Sequence, residues 1–153
     1  MIDKGLQRDF MNTALDQAKK AAARGEVPVG AVVVKEKEII AQAHNLRETK
    51  QEPGAHAEML ALKKAARKLD SWRLEDCSLF VTLEPCLMCA GALLQARISM
   101  LVYGAKDPKN GAVDSLYSVL GDERLNHQVK VISGKMAEES SRLLKNFFQD
   151  LRN

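Results

Sequence analysis

Four residues carry the types and spacing from which chemistry can be built: His56 and Glu58 in the run Ala55-His56-Ala57-Glu58, and Cys86 and Cys89 in Pro85-Cys86-Leu87-Met88-Cys89. Cys86 and Cys89 are three positions apart, one helical turn, so both sulfurs lie on one side of a helix end and can share one ion. A helix N-terminus favours negative charge and lowers a thiol's pKa toward the thiolate that a metal requires. Two thiolates and one imidazole suit Zn²⁺ in tetrahedral geometry, with bonds of about 2.0 to 2.3 Å. Structural zinc sites close with a fourth protein ligand, and His44, His127 and Cys77 show no matching spacing, so the fourth corner is left to a water activated toward hydroxide near neutral pH. Glu58 stands two positions from His56 and would not share its face in mid-helix, but in a first turn both side chains reach past the helix end. There the Glu58 carboxyl can hold the water's proton and deliver it to a leaving group, as general base and then general acid of a hydrolysis.

Taken singly, these pieces have plainer readings. A lone Cys-x-x-Cys is also a redox pair or two small buried residues, and a lone His-x-Glu carries almost no information. Their joint placement at two helix starts, with Pro85 before the first cysteine, points to zinc hydrolysis. Cys77 reads as a structural residue before a strand, His44 and His127 as strand-end or loop residues, and Trp72 as a core or interface plug.

The elements that must position these groups follow from apolar periodicity. Phe10, Met11, Ala14, Leu15, Ala18, Ala21 and Ala22 recur at helical spacing, and Gly25 with Pro28 supplies a stop, so a first helix ends near Arg24. Ala31–Val34 and Ile39–Ala43, around the charged stretch Lys35–Glu38, predict a β-hairpin, followed by a polar loop over Asn45–Gly54. A helix is expected over Ala55–Leu69, with Met59, Leu62, Ala66 and Leu69 on one face and Lys63, Lys64, Arg67 and Lys68 on the other. Leu79–Leu83 predicts a buried strand, and Cys86–Ala96 a helix with Pro85 in its first turn. Met100–Tyr103 is the next strand, Lys106–Gly111 a loop, Ser115–Leu120 a short helical candidate, Val129–Ile132 a last strand and Glu138–Leu151 a closing helix. Strands alternating with helices after a hairpin imply an α/β fold, a three-layer α/β/α sandwich around a mixed five-stranded sheet. The two helix starts then meet at the carboxyl edge of the sheet, where open α/β sheets place ligands.

Composition bounds the remaining choices. A chain of 153 residues with 46% hydrophobic and 28% charged residues, 9 Gly and 4 Pro fits one domain over 1–153 with a sizeable core and excludes collagen-like and disordered classes. No apolar run approaches the roughly 18 residues of a membrane span, and Met1 to Phe10 mixes charge with apolar residues unlike a signal peptide, so a cytoplasmic protein without membrane partners is expected. Three Cys form an odd number, which argues against a secreted disulfide framework and fits a reducing compartment. A net charge of +3 leaves the partner open.

The pairing of His-Ala-Glu with Pro-Cys-x-x-Cys resembles the zinc nucleobase deaminases. The resemblance extends over nearly the whole chain through Glu26-Val27-Pro28-Val29-Gly30-Ala31, His44-Asn45, Ala55-His56-Ala57-Glu58, Thr82 to Gly91, Tyr103-Gly104-Ala105 and Phe147-Phe148, and it is to the bacterial tRNA-specific adenosine deaminases, a family of cytidine deaminase-like fold. It implies hydrolytic conversion of adenosine to inosine at the wobble position of a tRNA anticodon stem-loop, by a homodimer with one Zn²⁺ per subunit. His56, Cys86 and Cys89 would then bind zinc, and Glu58 would shuttle the proton. Asn45 would hydrogen-bond the flipped nucleotide, Val29 and Ala55 would wall the base pocket, and Lys106, Asp107, Lys109, Phe148 and Arg152 would touch the anticodon loop. The chain departs from the family at Gly54, where a Thr often supplies a possible helix-capping hydroxyl, at Val113-Asp114, where smaller residues are usual, and in ending at Asn153 without a Lys-rich tail, which assigns the basic charge for tRNA to the folded body. A deaminase of free cytosine, cytidine or guanine shares the zinc and glutamate chemistry, and a structural zinc protein that binds RNA would need four protein ligands.

Overall fold

The computed structural model describes residues 2–153. Its chain order is α1 (Lys4–Ala23), β1 (Gly30–Lys35), β2 (Glu38–His44), α2 (Arg47–Lys50), α3 (Ala57–Leu69), β3 (Cys77–Leu83), α4 (Leu87–Ala96), β4 (Met100–Ala105), a 3₁₀ turn at Val119–Gly121, β5 (Lys130–Ile132) and α5 (Ala137–Arg152). The five strands form one sheet in the order β2-β1-β3-β4-β5. β1 runs antiparallel to both β2 and β3, while β3, β4 and β5 are mutually parallel. The expected mixed five-stranded α/β/α arrangement is therefore present.

Strand side chains alternate between faces, and each face has its own helices. Ala31, Val33, Leu79, Val81 and Leu101 point into the layer with α3 and α4. Val32, Val34, Phe80 and Val102 point the other way, onto Phe10, Met11, Ala14 and Leu15 of α1 and Leu143 of α5. β1 is buried on both faces, which is why its sequence is a continuous run of valines rather than an alternation. The hairpin turn places both Glu36 and Lys37 at positive φ, 52° and 65°, a backbone twist that matches the flanking strands.

Several boundaries differ from the sequence reading. α1 starts at Lys4, six residues before the first strongly periodic position, because the Asp3 side chain accepts the Leu6 N–H at 2.8 Å and caps the first turn. The expected polar loop after β2 contains the single helical turn α2, whose Glu48 and Thr49 N–H groups are both taken by the buried Glu26 carboxylate. Cys86 is the N-cap of α4, so Pro85 precedes the helix instead of opening its first turn. The helix expected over Ser115–Leu120 reduces to the 3₁₀ turn, because the backbone N–H groups of Val113, Asp114 and Ser115 all turn inward to Glu84. Trp72 is not a core residue; it is 61% exposed, with the Arg73 guanidinium 4.7 Å from its ring centre. No helix among the described residues is long and apolar enough to cross a membrane.

The packing of α1 on the sheet depends on Gly30. A Cβ there would lie 1.9 Å from the Ala14 carbonyl oxygen and 2.6 Å from the Ala18 nitrogen, both backbone atoms that cannot rotate away. Gly30→Ala is expected to lower stability by about 1–3 kcal/mol, the usual range for overpacking. Gly5→Ala, whose Cβ meets only ordinary contact at 3.4 Å, should raise it by up to about 1 kcal/mol. Urea unfolding of both variants checks the pair.

Candidate metal centre and active site

β2 is parallel in direction to β3 and β4, since β1 opposes both neighbours. The segments after His44, Leu83 and Ala105, and the one before Gly30, therefore lie at one edge of the sheet. From that edge the chain enters α3 and α4, and the residue at each entry is a candidate ligand. His56 is the N-cap of α3 and Cys86 the N-cap of α4, both with extended backbone and neither making a side-chain capping bond. The two side chains are thus free to turn toward each other, and Cys89, one turn into α4, joins them.

The ligand atoms of His56, Cys86 and Cys89 all lie within 4.8 Å of one another. His56 Nδ1 is 3.6 Å from Cys86 Sγ and 3.5 Å from Cys89 Sγ, so Nδ1 is the nitrogen that faces the thiols. Cys89 is fully buried and Cys86 half-buried. The donor set, two sulfurs and one imidazole nitrogen converging on one point, fits a tetrahedral zinc site that draws three ligands from the protein. The Cys86 thiol is pulled down to about 4, first by its hydrogen bond with Cys89, against a smaller push from burial, and further by His56. Cys89 is pushed up by that same bond and by burial, and His56 is raised chiefly by its bond to Cys86. The three groups share protons in a way that a bound cation would replace.

Glu58 stands outside this ligand triangle but beside it, in the first turn of α3. Its side chain is buried, and burial pushes its carboxyl up to about 7, with His56 and Cys89 near enough to pull it back partway. A carboxyl with a pKa near neutrality can both take and return a proton. His44 and His127 lie away from the cluster, as strand-end and loop residues: His44 Nδ1 is 2.9 Å from Gln17 Oε1, and His127 Nε2 is 2.7 Å from the Ile98 carbonyl. Cys77 is the buried first residue of β3.

The other expected site residues fall into two groups. Val29, Asn45 and Ala55 are buried at the same sheet edge. Asn45 is already partly engaged, with Nδ2 donating to the Val27 carbonyl at 3.3 Å and Oδ1 accepting from Arg47 N–H at 3.1 Å, which leaves one amide N–H for a ligand. Lys106 and Lys109 are exposed on the loop after β4. Asp107 Oδ1 accepts the N–H groups of Lys109 and Asn110 at 3.1 and 3.2 Å, so it shapes that loop from within. Phe148 and Arg152 are on the exposed end of α5, a helix that packs on β4, β3 and α1, on the sheet face opposite α3 and α4. The metal cluster and these two residues are not brought together by any contact among the described residues. Gly54 has open space where a side chain would stand, and it lies two positions before the actual N-cap, His56, so a hydroxyl there would not occupy the capping position.

Two carboxylates near the site were not singled out by sequence reasoning. Glu26 and Glu84 are 1% and 2% exposed. Burial alone would raise both, but the Thr49 and Glu48 hydrogen bonds bring Glu26 below its ordinary value, and those from Asp114, Ser115 and Asp107 hold Glu84 at about 2. For Glu84 the available signal was an acidic residue directly following a largely apolar strand, in Leu79–Glu84.

The sequence profile of the MafB19-like deaminase family matches residues 7–152. The chain is 52% identical over 143 residues to a tRNA-specific adenosine deaminase of Bacillus subtilis, covering 94% of this chain and 89% of that one. It is 51% identical over 144 residues to one of Aquifex aeolicus, covering 94% and 95%. Among solved structures it is similar to a tRNA:A34 deaminase, with a TM-score of 0.86 and 42% identity over 89% of this chain and 99% of that one. A guanine deaminase from Nitrosomonas europaea shares a TM-score of 0.79 at 25% identity over 92% and 83%.

If His56, Cys86 and Cys89 are the whole protein ligand set for a metal, removing one leaves too few donors for tight binding. Cys89→Ala is expected to lose zinc, measured by elemental analysis on soluble, folded protein, since metal binding and folding share free energy. A variant that retains one zinc per chain would contradict the ligand assignment.

Proposed function

We propose that this chain, which belongs to the MafB19-like deaminase family and is related to the tRNA-specific adenosine deaminases over most of its length, converts adenosine to inosine at the tRNA wobble position, A34, and that His56, Glu58, Cys86 and Cys89 carry this reaction. The observation that supports the assignment most is the convergence of three metal-ligand atoms within 4.8 Å beside a buried carboxyl held near neutrality. His56, Cys86 and Cys89 would hold one Zn²⁺ per subunit, whose Lewis acidity activates water for attack near pH 7. Hydrolysis would put the water oxygen on C6 of the adenine and release the exocyclic nitrogen as ammonia. Glu58 would take one water proton at its carboxylate and pass it to N1, then take the second from the C6 hydroxyl and pass it to the departing nitrogen, so that both protons of the water are accounted for. Val29 and Ala55 wall the base, and the spare Asn45 amide N–H hydrogen-bonds the flipped nucleotide.

The tRNA would be bound outside this pocket by Lys106 and Lys109, on the loop that Asp107 shapes, and by Phe148 and Arg152 if the anticodon loop reaches round to α5. A homodimer is the reading that best accounts for the apolar groove between α3 and α4, lined in part by Met59, Leu60, Trp72 and Ala92, next to the exposed Leu87 and Met88. A tRNA substrate and three free cysteines fit a cytoplasmic enzyme built as one deaminase domain over 1–153.

Glu58→Ala should retain zinc and fold, since its carboxylate is not in the ligand triangle, while inosine formation falls by about 10² to 10⁴ or more. A rate within tenfold of wild type would assign the proton transfer elsewhere. For the substrate, a base in a splayed anticodon loop avoids most of the unstacking penalty of a few kcal/mol, so tRNA with adenosine at the wobble position should be turned over far more efficiently than free adenosine, cytidine or guanine. Raising salt should weaken the tRNA reaction through counterion release, with little effect on a neutral nucleoside. Equal turnover of tRNA and free guanine would instead favour a free-base deaminase.

A further inference from the structure

Resting on the tRNA deaminase reading, we propose that Glu84 is a positioning residue that fixes the loop carrying Lys106, Asp107 and Lys109 against the metal-ligand turn, and so sets the enzyme's hold on its tRNA. Glu84 Oε1 accepts the Asp107 N–H at 3.0 Å and the Ser115 hydroxyl. Its Oε2 accepts the N–H groups of Val113, Asp114 and Ser115 at 3.1, 2.8 and 2.9 Å. One buried carboxylate thus gathers five donors from a nine-residue loop. It has no cationic partner: the ion pairs among the described residues are the exposed Arg73–Glu75 and Arg124–Asp122. Its charge is balanced by converging backbone dipoles, an arrangement that is costly to leave half-made.

The geometry ties this loop to the metal site and not simply to the core. Glu84 and Cys86 are separated by one residue, Pro85, whose carbonyl accepts the Ala112 N–H at 2.9 Å. Gly111 forms a bridge with Cys86 itself, and a Cβ on Gly111 would lie 2.3 Å from the Glu84 carboxyl carbon. Glycine is required there because the loop backbone lies directly on the carboxylate. The inner side of the loop is therefore fixed within two residues of a zinc ligand, while Lys106, Pro108, Lys109 and Asn110 project outward and exposed. A carboxylate under the loop spaces these cations from the catalytic pocket by a short, stiff path.

Glu84→Gln keeps the shape but turns an amide NH₂ toward N–H donors that need an acceptor. With zinc content unchanged, the KM for tRNA should rise about 10- to 100-fold while kcat stays within about threefold. Ser115→Ala, which removes one of the five donors and leaves the carboxylate, should raise KM by roughly three- to tenfold and keeps the test available if Glu84→Gln does not fold. Independently of any substrate, trypsin should cut after Lys106 and Lys109 at least tenfold faster in Glu84→Gln than in wild type. Loss of zinc in Glu84→Gln, a fall in kcat at constant KM, or unchanged trypsin cleavage would overturn the proposal. Should the wild-type chain form no inosine in tRNA, the substrate reading fails, and the proposal that rests on it is overturned with it; the trypsin result then reports on the Glu84 anchor alone.

Discussion

Everything in the site depends on two helix N-termini ending at the same point. A helix start presents unpaired N–H groups and a positive dipole end, and two such ends facing one another would repel unless something negative stood between them. Here each helix places a potential metal ligand at its N-cap, His56 on α3 and Cys86 on α4, and the thiolate character of Cys86 is the compensating charge. The sheet makes this meeting possible. Because β1 is antiparallel to both neighbours, the ends of β2, β3 and β4 share an edge, and the loops that follow β2 and β3 enter the two helices side by side.

Around that point the protein uses buried carboxylates in opposed ways. Glu58 is buried with little hydrogen bonding to hold its charge, so its pKa rises to about 7 and the group becomes able to exchange a proton. Glu84 is as deeply buried but surrounded by N–H donors, so it is held at about 2 and remains a fixed anion. Glu26 does for the turn at Glu48 and Thr49 what Glu84 does for the loop after β4. The same carboxyl titrates near neutrality in one place and is a fixed structural anion in the others, and burial weighed against the number of donors around each carboxylate decides which.

The sheet, the two-sided helix packing and the one-turn spacing of Cys86 and Cys89 were legible in the sequence because they rest on local signals, valine runs and helical periodicity; that His56, 30 residues earlier, joins them within 4.8 Å follows from two helix starts at one sheet edge. The segment from Val113 to Leu120 was not. Ser115–Leu120 reads as a short helix, but the N–H groups of Val113, Asp114 and Ser115 are captured by Glu84, 29 to 31 residues earlier in the chain, and no local pattern reveals a long-range acceptor. Of the two readings of Trp72, core or interface plug, the core one fails for a similar reason, since a large aromatic in a loop carries no sequence mark of whether it packs inward or lies under two arginines. The role of Asn45 in tying its own loop is likewise visible only once the Val27 carbonyl stands beside it.

The most direct test of the account is X-ray absorption at the zinc edge of the metal-loaded protein. The geometry predicts two sulfur scatterers at about 2.3 Å and one imidazole nitrogen at about 2.0 Å per zinc, from Cys86, Cys89 and His56, with no further protein ligand. A third sulfur, a second imidazole, or a first shell lacking sulfur would contradict it, because each requires a ligand set other than the one formed where the two helices meet.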